Sequence, residues 1–356
     1  MVSISLCMIV RNEEEVLARC LDSVRAAVDE IVIVDTGSTD RTKEIASEYT
    51  EKIFDYKWCE DFSAARNFAF SKGTMDYLMW LDADDVLPEA SLKALLALKE
   101  SLDPQVSVVM MPYHMAFDRQ DRPGFVYERE RLIKNGAGFL WKGAVHEAIA
   151  ARGLVVHSNV VIEHRKIKQG DPERNLHIYE KLMAEGKKLG PREQFYYARE
   201  LFYLGRYSEA IAAFENFLIM PASWLENRLE AYRMEALCHD LLHRPYEALQ
   251  TLLRSLGEDV PRAETCCDIG RHFIDRKMYR AAAFWYETAA AQKASTGGGA
   301  FVNRDCYDYI PYVQLSVCYY WLGDGERARK YHRLAAKLKP EDPAVKYNEP
   351  IIAAMD

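Results

Sequence analysis

An α/β domain on a mostly parallel sheet, followed by an all-α domain of repeated helical pairs, is the architecture that this sequence predicts. Three observations carry it. Up to about residue 168, short apolar runs alternate with amphipathic helical patterns, as in the strand–helix–strand units that build parallel sheets. One run, Tyr77-Leu78-Met79-Trp80-Leu81, is apolar throughout, as a strand buried on both faces is, and it ends abruptly in Asp82-Ala83-Asp84-Asp85. Beyond residue 168 the strand patterns stop and a helical-pair pattern repeats. The expected division is a first domain over 1–168, a bridging helix over 169–190 and a repeat domain over 191–356.

Each element of the first domain has a local reason. Ser3 to Val10 is a strand, and the helix after it starts with Glu13-Glu14-Glu15, acidic residues suited to the positive end of a helix dipole. Val16, Leu17, Cys20, Leu21 and Val24 give that helix its apolar face. Ile31–Val34 is a second strand ending at Asp35, and Thr36–Asp40 is a turn into a helix over Thr42–Tyr49. Ile53–Asp55, a helix over Phe62–Lys72 and the strand Tyr77–Leu81 follow, with a further helix starting near Pro88-Glu89. Val106–Pro112 and Gly124–Ile133 read as strands, the second with a charged alternation that fits an edge or a meander, and His157–His164 reads as the last.

In the second half, Ala210, Ala248, Ala282 and Ala328 recur at comparable places in four helical pairs, with Leu204-Gly205-Arg206-Tyr207 and Leu322-Gly323-Asp324 as turns. The interval before Ala328 is widened by Ser295-Thr296-Gly297-Gly298-Gly299. The pattern resembles tetratricopeptide repeats, whose period is ~34 residues and whose small residues let paired helices approach closely.

Composition sets the outer bounds. The 356 residues have room for two domains, and 49% hydrophobic with 28% charged residues is a globular balance. The net charge of −8 leaves neither half basic, which argues against a duplex nucleic-acid footprint. Eight cysteines without CxxC spacing read as free thiols in a reducing compartment. The N-terminus has no basic stretch ahead of its apolar run, and no window reaches the ~20 apolar residues of a membrane span, so the expectation is a cytoplasmic protein without a signal peptide.

Chemistry concentrates at the strand ends. Two carboxylates at the carboxyl end of a buried strand are costly to leave unpaired and suited to a divalent cation with its diphosphate; the alternative is an acidic turn capping the next helix. Asp35 sits where an open α/β sheet binds ligands and can accept from a nucleobase or ribose, while Ser38, Thr39 and Asp40 remain for capping. Arg11 and Arg66 can each reach a phosphate or base, or stand as surface residues.

Together, Ser5-Leu6-Cys7-Met8-Ile9-Val10-Arg11-Asn12-Glu13-Glu14, Val34–Asp40, Ala64-Ala65-Arg66-Asn67 and Leu81–Asp85 resemble family 2 glycosyltransferases in order and spacing over about 165 residues. The resemblance implies a GT-A (Rossmann-like) fold, with Asp35 and Glu13 similar to residues that hold uridine and Arg66 to one lining the nucleotide pocket. It likewise implies Asp82 at the ribose or sugar and Asp84 as the metal ligand of a DxD motif. Downstream there is no ED pair of the usual kind. Trp141-Lys142-Gly143-Ala144-Val145-His146-Glu147 instead resembles a W-x-G-x-V-H-E block of bacterial members that carry helical repeats. Glu147 is then the candidate base for the acceptor, or His146 and Glu147 position the donor sugar. His164 resembles a third metal ligand of several GT-A enzymes, and an imidazole favours Mn²⁺ over Mg²⁺.

The implied activity is an inverting, metal-dependent hexosyl transfer from a UDP-sugar. The two-part layout resembles bacterial peptide glycosyltransferases, including bacteriocin S-glycosyltransferases, which implies a peptide or protein acceptor and, by analogy, a homodimer. A polysaccharide or lipid-linked glycan acceptor is the second expectation, and a non-catalytic repeat scaffold the third.

Overall fold

A computed structural model describes residues 1–117, 121, 123–167, 170–293 and 302–355. The segment Ser295–Gly299, expected to widen the last repeat interval, lies outside the described residues. The chain divides into two compact units, Met1–Lys188 and Leu189–Asp356.

The first unit is built on a mixed sheet. Its elements are β1 (Ile4–Val10), α1 (Leu17–Val24), β2 (Glu30–Asp35), α2 (Thr42–Ser47), β3 (Ile53–Asp55), α3 (Phe62–Phe70), β4 (Tyr77–Met79), β5 (Asp85–Val86) and α4 (Glu89–Ser101). Then come β6 (Val108–Phe117), β7 (Pro123–Lys134), a small hairpin β8 (Trp141–Lys142) and β9 (Ala148–Ile149), β10 (Val155–His157), β11 (Ile162–His164) and α5 (Arg174–Ala184). The segment expected to bridge the two parts thus holds α5, which lies within the first unit.

The sheet order is β3-β2-β1-β4-β7-β6-β11-β5, with β10 also pairing β6. The first four strands run parallel, in the registers Val10↔Asp35 and Leu6↔Met79, so β1, β2 and β4 all end at one edge of the sheet. One apolar layer (Leu6, Leu21, Met79, Leu132) lies on the α1 and α4 side, and a second (Val34, Phe70, Trp80, Ile133, Trp141) on the α3 side. Two covered faces explain why β1 and β4 are apolar at nearly every position.

Two sequence expectations are corrected. The charged strand over 124–133 is no edge: β7 lies between β4 and β6, antiparallel to both. The last strand is two short ones, β10 and β11, separated by Ser158–Val161.

The second unit comprises the helical pairs α6 (Pro191–Tyr203) with α7 (Tyr207–Leu218), α8 (Leu225–Leu241) with α9 (Pro245–Arg254), α10 (Ala263–Asp275) with α11 (Tyr279–Ala290), and α12 (Tyr309–Trp321) with α13 (Gly325–Leu338), closed by α14 (Pro343–Ala353). Ala210, Ala248, Ala282 and Ala328 are all fully buried, as tetratricopeptide-like packing requires. Gly270 shows why small residues are needed: a Cβ there would stand 2.8 Å from the buried Tyr286 ring. No helix among the described residues is long and apolar enough to cross a membrane.

Candidate active site

The site gathers where β1, β2 and β4 end. At the β2 end, Asp35 is 2% exposed, and its Oδ2 accepts from the backbone N–H groups of Gly37 and Ser38, both at 3.0 Å. Asp35 therefore does cap its own turn, yet its Oδ1 is buried and has no partner among the described residues. A buried lone carboxylate oxygen at a strand end is a ready acceptor for an N–H or O–H of a ligand. The loop after β1 is laced onto that turn. Asn12, at a left-handed φ of 55°, accepts from Thr39 N at 2.8 Å, and the backbone N–H of Glu13 donates to Thr42 Oγ1 at 2.7 Å. Arg11 is exposed at the same place.

At the β4 end the carboxylates take different partners. Arg66, on the second turn of α3 and 7% exposed, donates from Nη2 to Asp82 at 2.7 Å and from Nε to Glu147 at 2.5 Å. Its guanidinium lies against both the Trp80 and Trp141 rings, 4.8 and 5.0 Å from their centroids, which are 4.9 Å apart. Burial would raise the Asp82 carboxyl, but Arg66 and Arg131 outweigh it and hold it at about 2. Asp82 is thus ionised at neutral pH beside Arg66, while Arg66 Nη1 stays buried and, among the described residues, unpartnered.

The sequence places Arg66 by tying both ends of its block. Asp61 caps α3 at Ala64 N, Phe62 N donates to Ala144 O at 2.9 Å, and Asn67 exchanges two hydrogen bonds with the Trp141 backbone. Gly143 (φ 99°) and His146 (φ 51°) turn the β8–β9 loop so that Glu147 returns to Arg66. A left-handed non-glycine residue such as His146 stores strain that its surroundings hold in place.

Asp84, Asp85 and His164 form the second group, with potential ligand atoms all within 4.8 Å of one another. His164 Nδ1 lies 3.3 Å from both Asp84 Oδ1 and Asp85 Oδ1. Burial lowers the imidazole, but the two carboxylates override it and push it up to about 10. Two carboxylates and an imidazole match the donor set of a divalent metal centre.

The acidic-cap reading of Asp85 is overturned. Asp85 is fully buried, and α4, which begins at Glu89 after Pro88 at its N-cap, has no side-chain cap. Arg131, also fully buried, donates to Asp85 Oδ2 at 3.0 Å, and Tyr113 OH to Oδ1 at 2.7 Å. The structure therefore brings Arg66, Asp82 and Glu147 into contact, joins Asp84 to His164, and sets Arg11, Glu13 and Asp35 apart at the β1 and β2 ends. Sequence reasoning missed Arg131, whose only trace was the charge alternation of the strand after residue 123, and Tyr113 on β6, which left none.

Residues 5–154 match the model of the family described as Glycosyl transferase family 2. The first unit is a glycosyltransferase domain of that family, and the helical region after it is tetratricopeptide-like. A TPR repeat-containing protein of Synechococcus elongatus, Synpcc7942_0270, is 41% identical over 154 residues, 42% of this chain and 36% of that protein. The SPbeta prophage-derived glycosyltransferase SunS of Bacillus subtilis is 24% identical over 282 residues, 75% of this chain and 65% of that one. The lipopolysaccharide core biosynthesis glycosyltransferase LpsC of Rhizobium meliloti is 29% identical over 205 residues, 54% and 75% of the two chains. The match thus spans about a third of the first relative and just under two thirds of the second.

Proposed function

We propose that this chain is an inverting, metal-dependent hexosyltransferase that moves a sugar from a UDP-sugar to a peptide or protein acceptor held partly by the helical repeats. One observation carries the reading: a metal-type donor set (Asp84, Asp85, His164) stands beside the Asp82–Arg66–Glu147 bridge at the end of β4, in a domain whose β2 end offers the unpartnered Asp35 oxygen. Asp35, with Glu13 and Arg11 beside it, would hold the nucleoside, its free oxygen accepting from the base or ribose. Asp82 and Arg66 would orient the ribose or donor sugar. Asp84 and His164 would hold the cation, Mn²⁺ rather than Mg²⁺ on account of the imidazole. When bound, such a cation supplies the positive charge against which a diphosphate leaves.

Glu147 is the proposed base for the acceptor. Its Oε1 is held by Arg66, which leaves Oε2 for the proton, and His146 fixes the loop from which it reaches. Direct displacement with the base on the acceptor side inverts the anomeric carbon. If Glu147→Gln lowers kcat by about 10²–10⁴ the role holds, whereas a change in KM alone reassigns Glu147 to sugar positioning.

The primary test is hydrolysis of UDP-sugars with Mn²⁺, compared with Asp84→Ala. Turnover that the substitution abolishes supports the transferase, and no turnover in either favours a repeat scaffold. A glycan or lipid-linked acceptor is the second reading, favoured by the likeness to LpsC, a lipopolysaccharide core enzyme. Labelled-sugar transfer into a lysate of the source organism separates the two: label in protein supports the first, label in glycan the second. A homodimer is a further part of the proposal, removed by a light-scattering mass near the 40.9 kDa of one chain.

A further inference from the structure

Asp84, Asp85 and His164 look like three equivalent donors, but their surroundings differ. A carboxylate has about four lone-pair sites. Those of Asp85 are taken: Oδ1 by Tyr113 OH at 2.7 Å and His164 Nδ1 at 3.3 Å, Oδ2 by Arg131 Nη1 and the Asp82 backbone N–H, both at 3.0 Å. Asp84 is partly exposed, and among the described residues its carboxylate has only His164 as a partner. Asp85 is also clamped by the fold, since β5 pairs with β11 in the register His164↔Asp85 and its side-chain partners come from β6 and β7.

We infer that Asp85 is a positioning residue and not a metal ligand: held by Arg131 and Tyr113, it fixes His164 through Nδ1 and Asp82 through its backbone N–H, so that Asp84 and the imidazole of His164 remain for the cation. The inference rests on the metal-dependent reading above and deepens it. It assigns one charged pair, Asp85–Arg131, to two tasks at once, aiming the imidazole and setting the turn from which Asp82 meets Arg66. A carboxylate that orients a ligating histidine through its other ring nitrogen is a recurrent arrangement in metal centres, and losing one costs about 10–100-fold in metal affinity.

The test uses the full chain titrated with Mn²⁺ alone, read by electron paramagnetic resonance for affinity and stoichiometry. Pulsed measurements in D₂O count the waters on the bound ion and detect coupling to an imidazole nitrogen. Asp84→Asn should lose binding at least about 100-fold. Asp85→Leu combined with Arg131→Met removes every donor at position 85 without stranding the guanidinium. It should still bind one Mn²⁺, about 10–100-fold more weakly, with the wild-type water count. One additional water on the ion, or loss as complete as in Asp84→Asn at an unchanged melting temperature, overturns the inference. Should the double variant not fold, Tyr113→Phe removes one hydroxyl only; a several-fold weaker affinity at constant water count supports the anchor, and unchanged affinity overturns it. A wild-type chain that binds no Mn²⁺ instead removes the metal reading itself, and this anchor role with it.

Discussion

Both units hold ion pairs, but they draw them from different distances along the chain. In the helical unit the partners lie about one repeat apart: Arg228–Glu258 by 30 residues, Arg271–Asp240 by 31, Arg233–Asp268 by 35 and Arg262–Glu226 by 36. Three of them tie α8 to α10 or its N-cap, its counterpart in the next repeat, and the fourth ties Arg228 of α8 to Glu258 in the connection before α10, as nearest-neighbour stabilisation of an array requires. In the transferase unit the site draws partners from farther as well as nearer: Arg66–Asp82 over 16 residues, but Arg131–Asp85 over 46, His164–Asp85 over 79 and Arg66–Glu147 over 81. Stitching needs only a period. A site needs several strand ends brought to one point, and for that the sheet must close first.

The sharpest way to break this contrast is at the convergence point. Asp84→Asn should lower metal-dependent UDP-sugar turnover by at least about 10³-fold, measured by UDP release, while the melting of the helical unit stays unchanged. Next, Arg66→Met strands Glu147 in a largely buried setting, beside an Asp82 side chain that is 37% exposed, and should destabilise the transferase unit by about 3 kcal/mol in urea unfolding. An equal loss in the helical unit would show that the two are not energetically separate.

The third prediction concerns Glu235, among the described residues of the helical unit a deeply buried carboxylate with an unpartnered oxygen. Glu235 is 1% exposed, accepts only long bonds from Thr251 and Arg254, both at 3.3 Å, and burial pushes it up to about 7. The folded state therefore holds this proton more tightly than the unfolded chain. Stability from it is complete below about pH 4.5 and falls as pH rises through about 7, by at most about 3 kcal/mol. Melting from pH 4.5 to 8 should show the decline in the helical unit, and Glu235→Gln should flatten it. Smallest of the four, Gly270→Ala forces a methyl against the Tyr286 ring and should cost about 1–3 kcal/mol in the helical unit, with UDP-sugar turnover untouched.

Much of this was legible in the residues. The runs before Arg11, Asp35 and Asp82 marked buried strands, and their polar ends marked the crevice. The recurring alanines gave the helical pairs. What stayed hidden was partnership across distance. Nothing local distinguishes Asp85 from a helix cap until Arg131 and Tyr113 arrive beneath it, and Arg66 looks like a surface residue until two tryptophans cover it. Buried charges contradict the pattern rules by which a core is recognised, and they do so where a site demands it.

The strand β7 carries one more consequence. Its pairing with β6 slips between Val109↔Leu132 and Met110↔Glu130, so Arg131 is an extra residue in the ladder, a β-bulge. On the hairpin side of it, odd-numbered Tyr127 packs against the α1 and α4 layer; on the other side, even-numbered Leu132 does. Arg131 is therefore a phase shift in the alternation of the strand. Scanned for a strict period of two, such a segment still shows its charged alternation but not the slip of phase at Arg131. Deleting that one position would restore an unbroken ladder and bring the halves into a common phase without Arg131, leaving Asp85 with an empty place opposite it. The residue count of β7 is thus as much a determinant of the site as its side chains.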